Sequence, residues 1–482
     1  MSLTGRTRWI ALLVLCFGDL MIVLDATIVN VALPSIRADL GFSETSLAWV
    51  VNAYLITFGG FLLLGGRLGD LFGHRRLFLI GLTLFTLASL ACGLANSQEF
   101  LIGARAVQGL GGAIVSVVAL SLTMIMFTEP AERAKAMGIF GFVLSGGGTA
   151  GVLLGGVLTD LLNWNWIFLV NIPVGVAVVG LSLALLPAER GPAEGGRLDI
   201  GGAVTVTASL MVAVYAIVNG NETGWTSGQT IGLLAAAAAL LALFLGIEAR
   251  ARSPLVPLGL FRLRNVSTAN VIGILMAGGM FAGFFLSALY LQQVLGYTPL
   301  EVGLAYLPST LIWGGVSFGL SDKLVMRFGI KPPLVAGLSI MAVGILLFAR
   351  APVDGNFVVD VLPGMVLQGF GAGIAFNPIL LAAMSDVEPR EAGLASGVVN
   401  TSFMMGGALG LAVLASLAVS RTDSLLASGD GQLAALTGGY HLGFLVGAVF
   451  VAVAATLGAL VLRTAPGGAP AQVEPEGAME AA

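Results

Sequence analysis

The strongest constraint on the fold is a succession of about fourteen apolar segments, each roughly 18 or more residues long. A helix of this length crosses the hydrocarbon core of a bilayer, which is about 30 Å thick. In chain order the segments are 9–33, 47–66, 77–96, 100–126, 136–159, 166–186, 199–218, 230–247, 266–291, 300–320, 332–350, 359–383, 392–419 and 440–462. We therefore predict an all-α integral membrane protein with fourteen spans.

Composition supports this prediction. Apolar residues make up 57% of the 482 residues and charged residues only 10%, so the polar surface that soluble domains need is missing. The net charge of −4 gives no indication of a nucleic-acid partner. Both cysteines, Cys16 and Cys92, lie in apolar segments, and His74 and His441 form no cluster, so we predict neither a disulfide framework nor a metal or catalytic site.

The distribution of basic residues predicts the orientation. An apolar run of about 25 residues is too long for the core of a signal peptide, so we expect the first segment to remain as a span. An even number of spans places both termini on one side, and short cytoplasmic loops carry an excess of Lys and Arg. We therefore predict that both termini lie on the cytosolic side of a cell membrane. In that orientation only three Lys or Arg residues of the loops face outward: Arg37, Arg350 and Arg421.

An internal repeat organises the spans. Residues 107–113 read VQGLGGA and residues 367–373 read LQGFGAG, 260 residues later, while Gly73 and Gly329 follow similar spans 256 residues apart. Six helices with short loops need only about 200 residues, so the surplus fits two inserted helices. We predict a six-helix bundle over 1–187, two inserted helices over 188–265, a second bundle over 266–462 and a disordered cytoplasmic tail over 463–482. Chance similarity among glycine-rich helices is the alternative.

Three charged residues lie well inside the apolar segments, away from their ends. A charge in hydrocarbon costs about 2.5 to 3.5 kcal/mol on insertion scales, and such residues commonly serve transport or proton chemistry. Arg105 must find a partner, and Asp25 lies at a similar depth, so the two side chains are expected to meet. Asp19 lies about 120° away from Asp25 on the same helix, and either faces a cavity or bonds to a neighbouring helix.

Several motifs together resemble one family. The chain reads LDATIVNVALP in the first span, GRLGDLFGHRR after the second, RAVQGLGGA in the fourth and WNWIFLVNIPVG entering the sixth. YLQQVLGYTPLEVGLAYLP and AGLASGVVNTSFMMGGALG follow in the second half. From Trp9 to Arg463 the chain is similar to fourteen-span drug:proton antiporters of the major facilitator superfamily, of the EmrB/QacA type. This resemblance implies two six-helix bundles that rock about a central site.

The resemblance assigns Arg105 to proton coupling. We expect protonation of Asp25 to release Arg105 and to shift the balance between outward-facing and inward-facing states. Asp19 is a possible cation or second proton site. A static salt bridge that holds spans one and four together is the alternative.

The resemblance also makes the GRLGDLFGHRR loop a conformational latch on the cytosolic side. Its members are Gly66, Arg67, Asp70, Gly73 and Arg75. The alternative is a loop that is basic only because it faces the cytosol. In the second half Met326 takes the place of Asp70, so the two latches are unequal.

The glycines of span five resemble the motif of exporters. Gly151, Gly155 and Gly156 allow close packing against a neighbouring helix. Val152 stands where the family has proline, which puts a kink in doubt, and Asn165 stands where an arginine is common. Glycine packing without an export function is the alternative.

Polar or aromatic side chains inside spans are candidates to line a substrate cavity or to hydrogen-bond between helices. They are Asn30, Asn52, Tyr54, Gln108, Asn270, Tyr290, Gln292, Asn377 and Asn400.

The combined interpretation is a proton-driven exporter of small amphipathic compounds, with the proton as coupling ion and no other cofactor. Enzyme motifs are missing from the sequence, and no Walker loop would couple ATP to transport. The partners expected are a small-molecule substrate and the lipid bilayer, with a monomer as the default. The alternatives are a dedicated exporter of one metabolite or antibiotic, an importer of the same fold, and a non-transporting receptor or scaffold.

Overall fold

A computed structural model describes residues 5–127, 129–186, 199–251, 254–387 and 392–463, and the secondary structure of these residues is helical. Fourteen long helices follow one another: α1 (Gly5–Leu40), α2 (Trp49–Phe72), α3 (His74–Gly93), α4 (Gln98–Met126), α5 (Pro130–Leu161), α6 (Asn171–Leu185), α7 (Ile200–Thr223), α8 (Gly228–Glu248), α9 (Arg264–Leu289), α10 (Pro299–Val316), α11 (Lys331–Phe348), α12 (Leu362–Met384), α13 (Ala392–Ala427) and α14 (Gln432–Leu460).

Twelve of the helical segments in the described ranges are long and apolar enough to cross a membrane. The predicted spans 136–159 and 300–320 fall on α5 and α10, which are not among these twelve. The all-α membrane architecture is therefore confirmed, and the number fourteen stays a prediction. The predicted tail and the boundary at 187 and 188 lie outside the described residues.

The two halves of the chain repeat one packing scheme. In the first half α1 packs on α4, α5 and α6, while α4 also packs on α2 and α3, and α3 packs on α6. In the second half the helices numbered eight higher make the same pairs. There α9 packs on α12, α13 and α14, while α12 also packs on α10 and α11, and α11 packs on α14. The halves meet where α2 packs on α13 and where α5 packs on α10. These two interfaces are equivalent, because α2 corresponds to α10 and α5 to α13 in the repeat. This pattern supports the internal repeat, and α7, which packs on α8, also touches α2 and α13.

The latch segment is helical, which corrects the predicted ten-residue loop between spans two and three. Helix α2 continues to Phe72 and α3 begins at His74, so that only Gly73 separates them. Its φ of +90° lies in the left-handed region that glycine adopts without strain. Gly329 has a φ of +78° at the matching connection after α10. We call the end of the bundle with Gly73 and Gly329 the basic end, and the other the opposite end.

Glycines set the closest helix contacts in both halves. A Cβ at Gly151 of α5 would lie 3.2 Å from the Cα of Leu24, and one at Gly410 of α13 would overlap the Cα of Gly278 on α9. Gly147 and Gly406 make corresponding contacts with α1 and α9, and each pair is 259 residues apart. The glycines of α13 are thus the second-half counterpart of the exporter motif.

Candidate ion-pair site

The central feature of the first half is a buried ion pair between Asp25 on α1 and Arg105 on α4. Both side chains are 0% exposed, and Nη1 of Arg105 donates a short hydrogen bond to Oδ2 of Asp25. The predicted meeting of these two residues is therefore present in the structure. A buried charge pair survives only when its other donors and acceptors are also satisfied.

Neighbouring helices supply those further bonds. Nε2 of Gln108 donates to Oδ1 of Asp25 at 2.7 Å, and the Gln108 carbonyl oxygen accepts from Nη1 of Arg105 at 2.7 Å. Nδ2 of Asn171 on α6 reaches the same Oδ1 at 3.4 Å. Ser89 Oγ on α3 accepts from both amides, at 2.7 Å and 3.4 Å. Side chains from α1, α3, α4 and α6 thus form one polar network, which we call the ion-pair network.

Aromatic rings and backbone complete the surroundings of Arg105. Its Nε donates to the carbonyl of Val50 at 2.9 Å, and its guanidinium carbon lies 4.4 Å from the ring centroid of Tyr54 and 5.6 Å from that of Phe168. Such contacts favour a cation over a ring face. Nη2 has no hydrogen-bond partner among the described residues. The guanidinium is therefore held by several groups besides Asp25.

Local sequence explains why these groups meet. Arg105 and Gln108 are three residues apart and share a face of α4. One residue further, Gly109 lets α2 approach, because a Cβ there would overlap the carbonyl of Tyr54. The RAVQGLGGA motif therefore places one cation and one amide against α1 and α2. The arrangement can hold either a charge pair or, with Asp25 protonated, a neutral acid beside a cation that keeps its other contacts.

Asp19 is hydrogen-bonded to a neighbouring helix. It is 3% exposed, and Ser116 Oγ on α4 donates a short hydrogen bond to its Oδ1. This is the second of the two predicted environments. Its role as a cation or proton site stays a prediction.

The latch residues divide between described and undescribed side chains. The side chains of Arg67 and Asp70 lie outside the described ones, whereas Arg75 donates to the carbonyl of Leu183 on α6. A Cβ at Gly66 would lie 3.0 Å from Cγ1 of Val117, so this glycine packs closely against α4. The latch function stays a prediction.

The exporter-motif glycines are packed closely, as predicted. A Cβ at Gly155 would lie 2.7 Å from the carbonyl oxygen of Ile28, and one at Gly156 would lie 2.9 Å from the Cα of Leu300 on α10. Gly156 thus lies where the two halves meet. Helix α5 is continuous through Val152, the position where the family has proline.

The cavity candidates have several different environments. Gln108 belongs to the ion-pair network, and the ring of Tyr54 packs against Arg105 of that network. The amide of Asn52 is fully buried and has no partner among the described residues, whereas Asn400 is half-buried. The others bond to backbone or side chains nearby: Asn30 to Ala26 and Thr27, Asn270 to Val266 and Ser402, Tyr290 to Pro352, and Asn377 to Ser317 and Asp322.

Sequence reasoning missed two members of the ion-pair network, Ser89 and Asn171. Asn171 stands in the WNWIFLVNIPVG motif as a polar residue within an apolar run, which is the signal that would have identified it. Ser89 carries no such signal, because serine is common in membrane helices.

Two glutamines join the halves at the opposite end. Nη1 of Arg37 on α1 donates to Oε1 of Gln293 at 3.3 Å, and Nε2 of Gln292 donates to the carbonyl of Val31 at 3.0 Å. Both glutamines lie in a π-helical turn, Tyr290–Val294, that continues α9. The hydroxyl of Tyr440 also donates to Gln293, at 3.0 Å. The bonds of Arg37 and Gln292 thus connect the two halves at the opposite end, whereas the bond from Tyr440 on α14 lies within the second half.

We predict that Gln293→Leu opens the opposite end, because leucine cannot accept the bond from Arg37 that connects the two halves. Spin labels at Leu94→Cys and Leu433→Cys, which are exposed positions near that end, would report a longer distance population. Gln229→Leu, at an exposed position on α8, is the matched control and is expected to leave the distances unchanged. Unchanged distances in Gln293→Leu would contradict this prediction.

Comparisons with known proteins agree with this architecture. Residues 15–411 match the family model described as Major Facilitator Superfamily. The chain is 38% identical over 474 residues to the cephamycin export protein of Amycolatopsis lactamdurans, covering 97% of each chain. It is 38% identical to the puromycin resistance protein of Streptomyces alboniger, covering 92% of this chain and 88% of that one.

A third relative and a solved structure extend the agreement. A multidrug resistance protein of Mycobacterium tuberculosis is 39% identical over 413 residues, covering 86% of this chain and 76% of that one. A bacterial homologue of the human lysosomal transporter Spinster has the same fold, with a TM-score of 0.66 at 17% identity, covering 96% of this chain and all of that one. The chain therefore belongs to the Major Facilitator Superfamily, a family of multi-pass membrane transporters.

Proposed function

We propose that this protein is a proton-coupled exporter that expels small amphipathic compounds in exchange for protons. The observation that carries the proposal is the fully buried pair of Asp25 and Arg105. A charge pair inside a membrane protein is costly to keep, and a titratable member of such a pair is a natural proton carrier.

The ion-pair network indicates how a proton would act. With Asp25 ionised, the pair binds α1 to α4, and Gln108 and Asn171 donate to the same carboxylate. A proton on Asp25 removes the negative charge that balances Arg105 and weakens this connection between helices. States that differ in the environment of Asp25 then change their relative populations.

The orientation of this cycle follows from the positive-inside rule. We propose that the basic end faces the cytosol and that both termini lie there, in a cell membrane. The bonds from Arg37 and Gln292 then close the protein toward the outside. Release of the substrate outside requires that these bonds break.

The substrate class is proposed from the relatives. One similar protein is named for multidrug resistance, which favours a broad range of lipophilic compounds. Others are named for cephamycin export and for tetracenomycin C resistance and export, which favours a second candidate, a dedicated exporter of one antibiotic. In either case the protein would act as a transporter, with no cofactor other than the proton, and as a monomer.

Drug susceptibility and accumulation distinguish these candidates. In a bacterial host that lacks its own efflux pumps, expression is expected to lower the accumulation of several chemically different lipophilic cations. Collapse of the pH gradient should abolish the effect. Protection against a single compound would favour the dedicated exporter, and a protective effect that survives loss of the proton gradient would contradict proton coupling.

A further inference from the structure

Two carboxyl groups lie together at the basic end of the inserted helices, apart from the ion-pair network. Asp199 caps the N-terminus of α7, where its Oδ1 accepts from the amide of Gly202 at 2.7 Å. Glu248 is the last residue of α8, and its Oε2 accepts from the amide of Val256 at 3.3 Å. Each carboxyl group therefore uses one oxygen to hold backbone.

The remaining two oxygens, Oε1 of Glu248 and Oδ2 of Asp199, both lie beside Gly202. Glu248 is only 3% exposed, and among the described residues neither its Oε1 nor Oδ2 of Asp199 has a hydrogen-bond partner. A Cβ placed on Gly202 would lie 2.7 Å from Oδ2 of Asp199 and 2.9 Å from Oε1 of Glu248. The two oxygens are therefore separated by no more than these two distances together.

Such an arrangement favours a positively charged partner. Two ionised carboxylates this close repel each other, and the C-terminal end of α8 adds the negative end of a helix dipole next to Glu248. The Arg250 side chain is exposed and donates to the carbonyl of Gly246 instead, and Arg262 is also exposed. Residues 187–198, which include Arg190 and Arg197, lie outside the described residues, as do the side chains of Arg67 and Asp70 on the basic end of α2 and of Arg252 in the loop after α8.

We propose that Asp199 and Glu248 form a second proton-binding site, in which one proton is shared between Oε1 of Glu248 and Oδ2 of Asp199. Binding of one proton converts two carboxylates into one carboxylic acid that donates a hydrogen bond to the other carboxylate. This single bond satisfies both unpartnered oxygens and removes one negative charge.

The number of free oxygens favours a proton over a metal ion. Divalent cations such as Mg²⁺ and Ca²⁺ take six or more oxygen ligands, whereas only one oxygen of each carboxyl group is free here. Within the part of the chain that the structure describes, no group of three His, Cys, Asp or Glu side chains is placed to hold a metal.

The site connects the inserted helices to α2. Leu255 precedes Val256, whose amide donates to Glu248. The Leu255 side chain packs with Ala203 of α7 and Leu64 of α2 in one small apolar cluster. Loss of the shared proton would leave two repelling charges beneath this cluster and loosen the contact of the inserted helices with α2. The site would thus respond to protons at the basic end.

Infrared spectroscopy of the purified full-length protein tests this proposal without any transport assay. At mildly acidic to neutral pH the carbonyl band of protonated carboxyl groups should lose the intensity of one group in Glu248→Gln and in Asp199→Asn. The double variant should lose the same single group, because one proton is shared. Asp199→Asn changes the cap of α7 and can weaken that helix. Glu248→Gln leaves the cap intact and keeps a donor toward Asp199, so this variant is expected to stay folded.

Asp160→Asn, at an exposed position of α5, is the control and should leave the band unchanged. Retention of the full band in Glu248→Gln would overturn the proposal, as would loss of two groups in the double variant. Disappearance of the band when excess Na⁺ or Mg²⁺ is added at constant pH would also overturn it, in favour of a metal cation site. None of these outcomes depends on the coupling role of Asp25, so the two proposals fail separately.

Discussion

The double variant Asp25→Asn with Arg105→Gln is expected to remain folded but to lose proton-driven export. Asp25→Asn alone leaves a fully buried Arg105 without its counter-charge, and breaking a buried ion pair in this way costs about 3 to 5 kcal/mol. Replacing both residues removes both charges and leaves amides that can hydrogen-bond with Gln108 and Asn171. Thermal unfolding and substrate efflux, measured on the same preparations, check the two parts of the prediction.

This pair of variants separates a coupling role from a static one. If the salt bridge only held α1 against α4, the double variant would regain transport together with its stability. If Asp25 carries the proton, transport stays absent in the double variant although stability returns. Asp160→Asn removes an exposed carboxyl group and is expected to change neither stability nor efflux.

Gly410→Val is expected to be the most destabilising substitution of a single small residue in the second half. A Cβ at this position would overlap the Cα of Gly278 and lie 2.9 Å from its carbonyl carbon, so α13 and α9 would have to separate. Overpacking costs about 1 to 3 kcal/mol and occasionally more, and the high end is expected here because backbone rather than a flexible side chain must move. A lower thermal unfolding temperature and a lower yield of monodisperse protein would show this effect.

Gly148→Val is the control for this substitution. Gly148 also lies within a glycine-rich helix, α5, but a Cβ there would have no atom within 4 Å. The control is expected to keep the wild-type unfolding temperature, because valine costs little at an open helix position. Equal stability of Gly410→Val and Gly148→Val would contradict the close contact between α9 and α13.

The positions of the membrane helices were largely predictable because length and hydrophobicity alone decide which segments are buried in a bilayer. Segment 9–33 fell within Gly5–Leu40, and segment 100–126 nearly matched Gln98–Met126. Helix ends were less predictable, as the GRLGDLFGHRR segment shows. Its charged residues resemble a loop, yet charged residues are compatible with helix, and only the positive φ of Gly73 interrupts it.

The ion-pair network was predictable in part. Depth in the membrane was enough to bring Asp25 and Arg105 together, because a buried cation has few possible partners. The bonds from Gln108 and Asn171 depend on how α4 and α6 are rotated about their axes, which one sequence does not specify. Asp199 and Glu248 are 49 residues apart and meet only because α7 and α8 form an antiparallel pair.

Proton movement across proteoliposomes tests the central claim most directly. Vesicles loaded with acid and containing the intact protein are exposed in turn to a panel of lipophilic cations, with a pH-sensitive dye as readout. The account predicts that at least one compound triggers proton release, and that Asp25→Asn with Arg105→Gln abolishes it. Uptake of a compound without proton movement, or equal proton release by the intact protein and the double variant, would contradict proton coupling through Asp25.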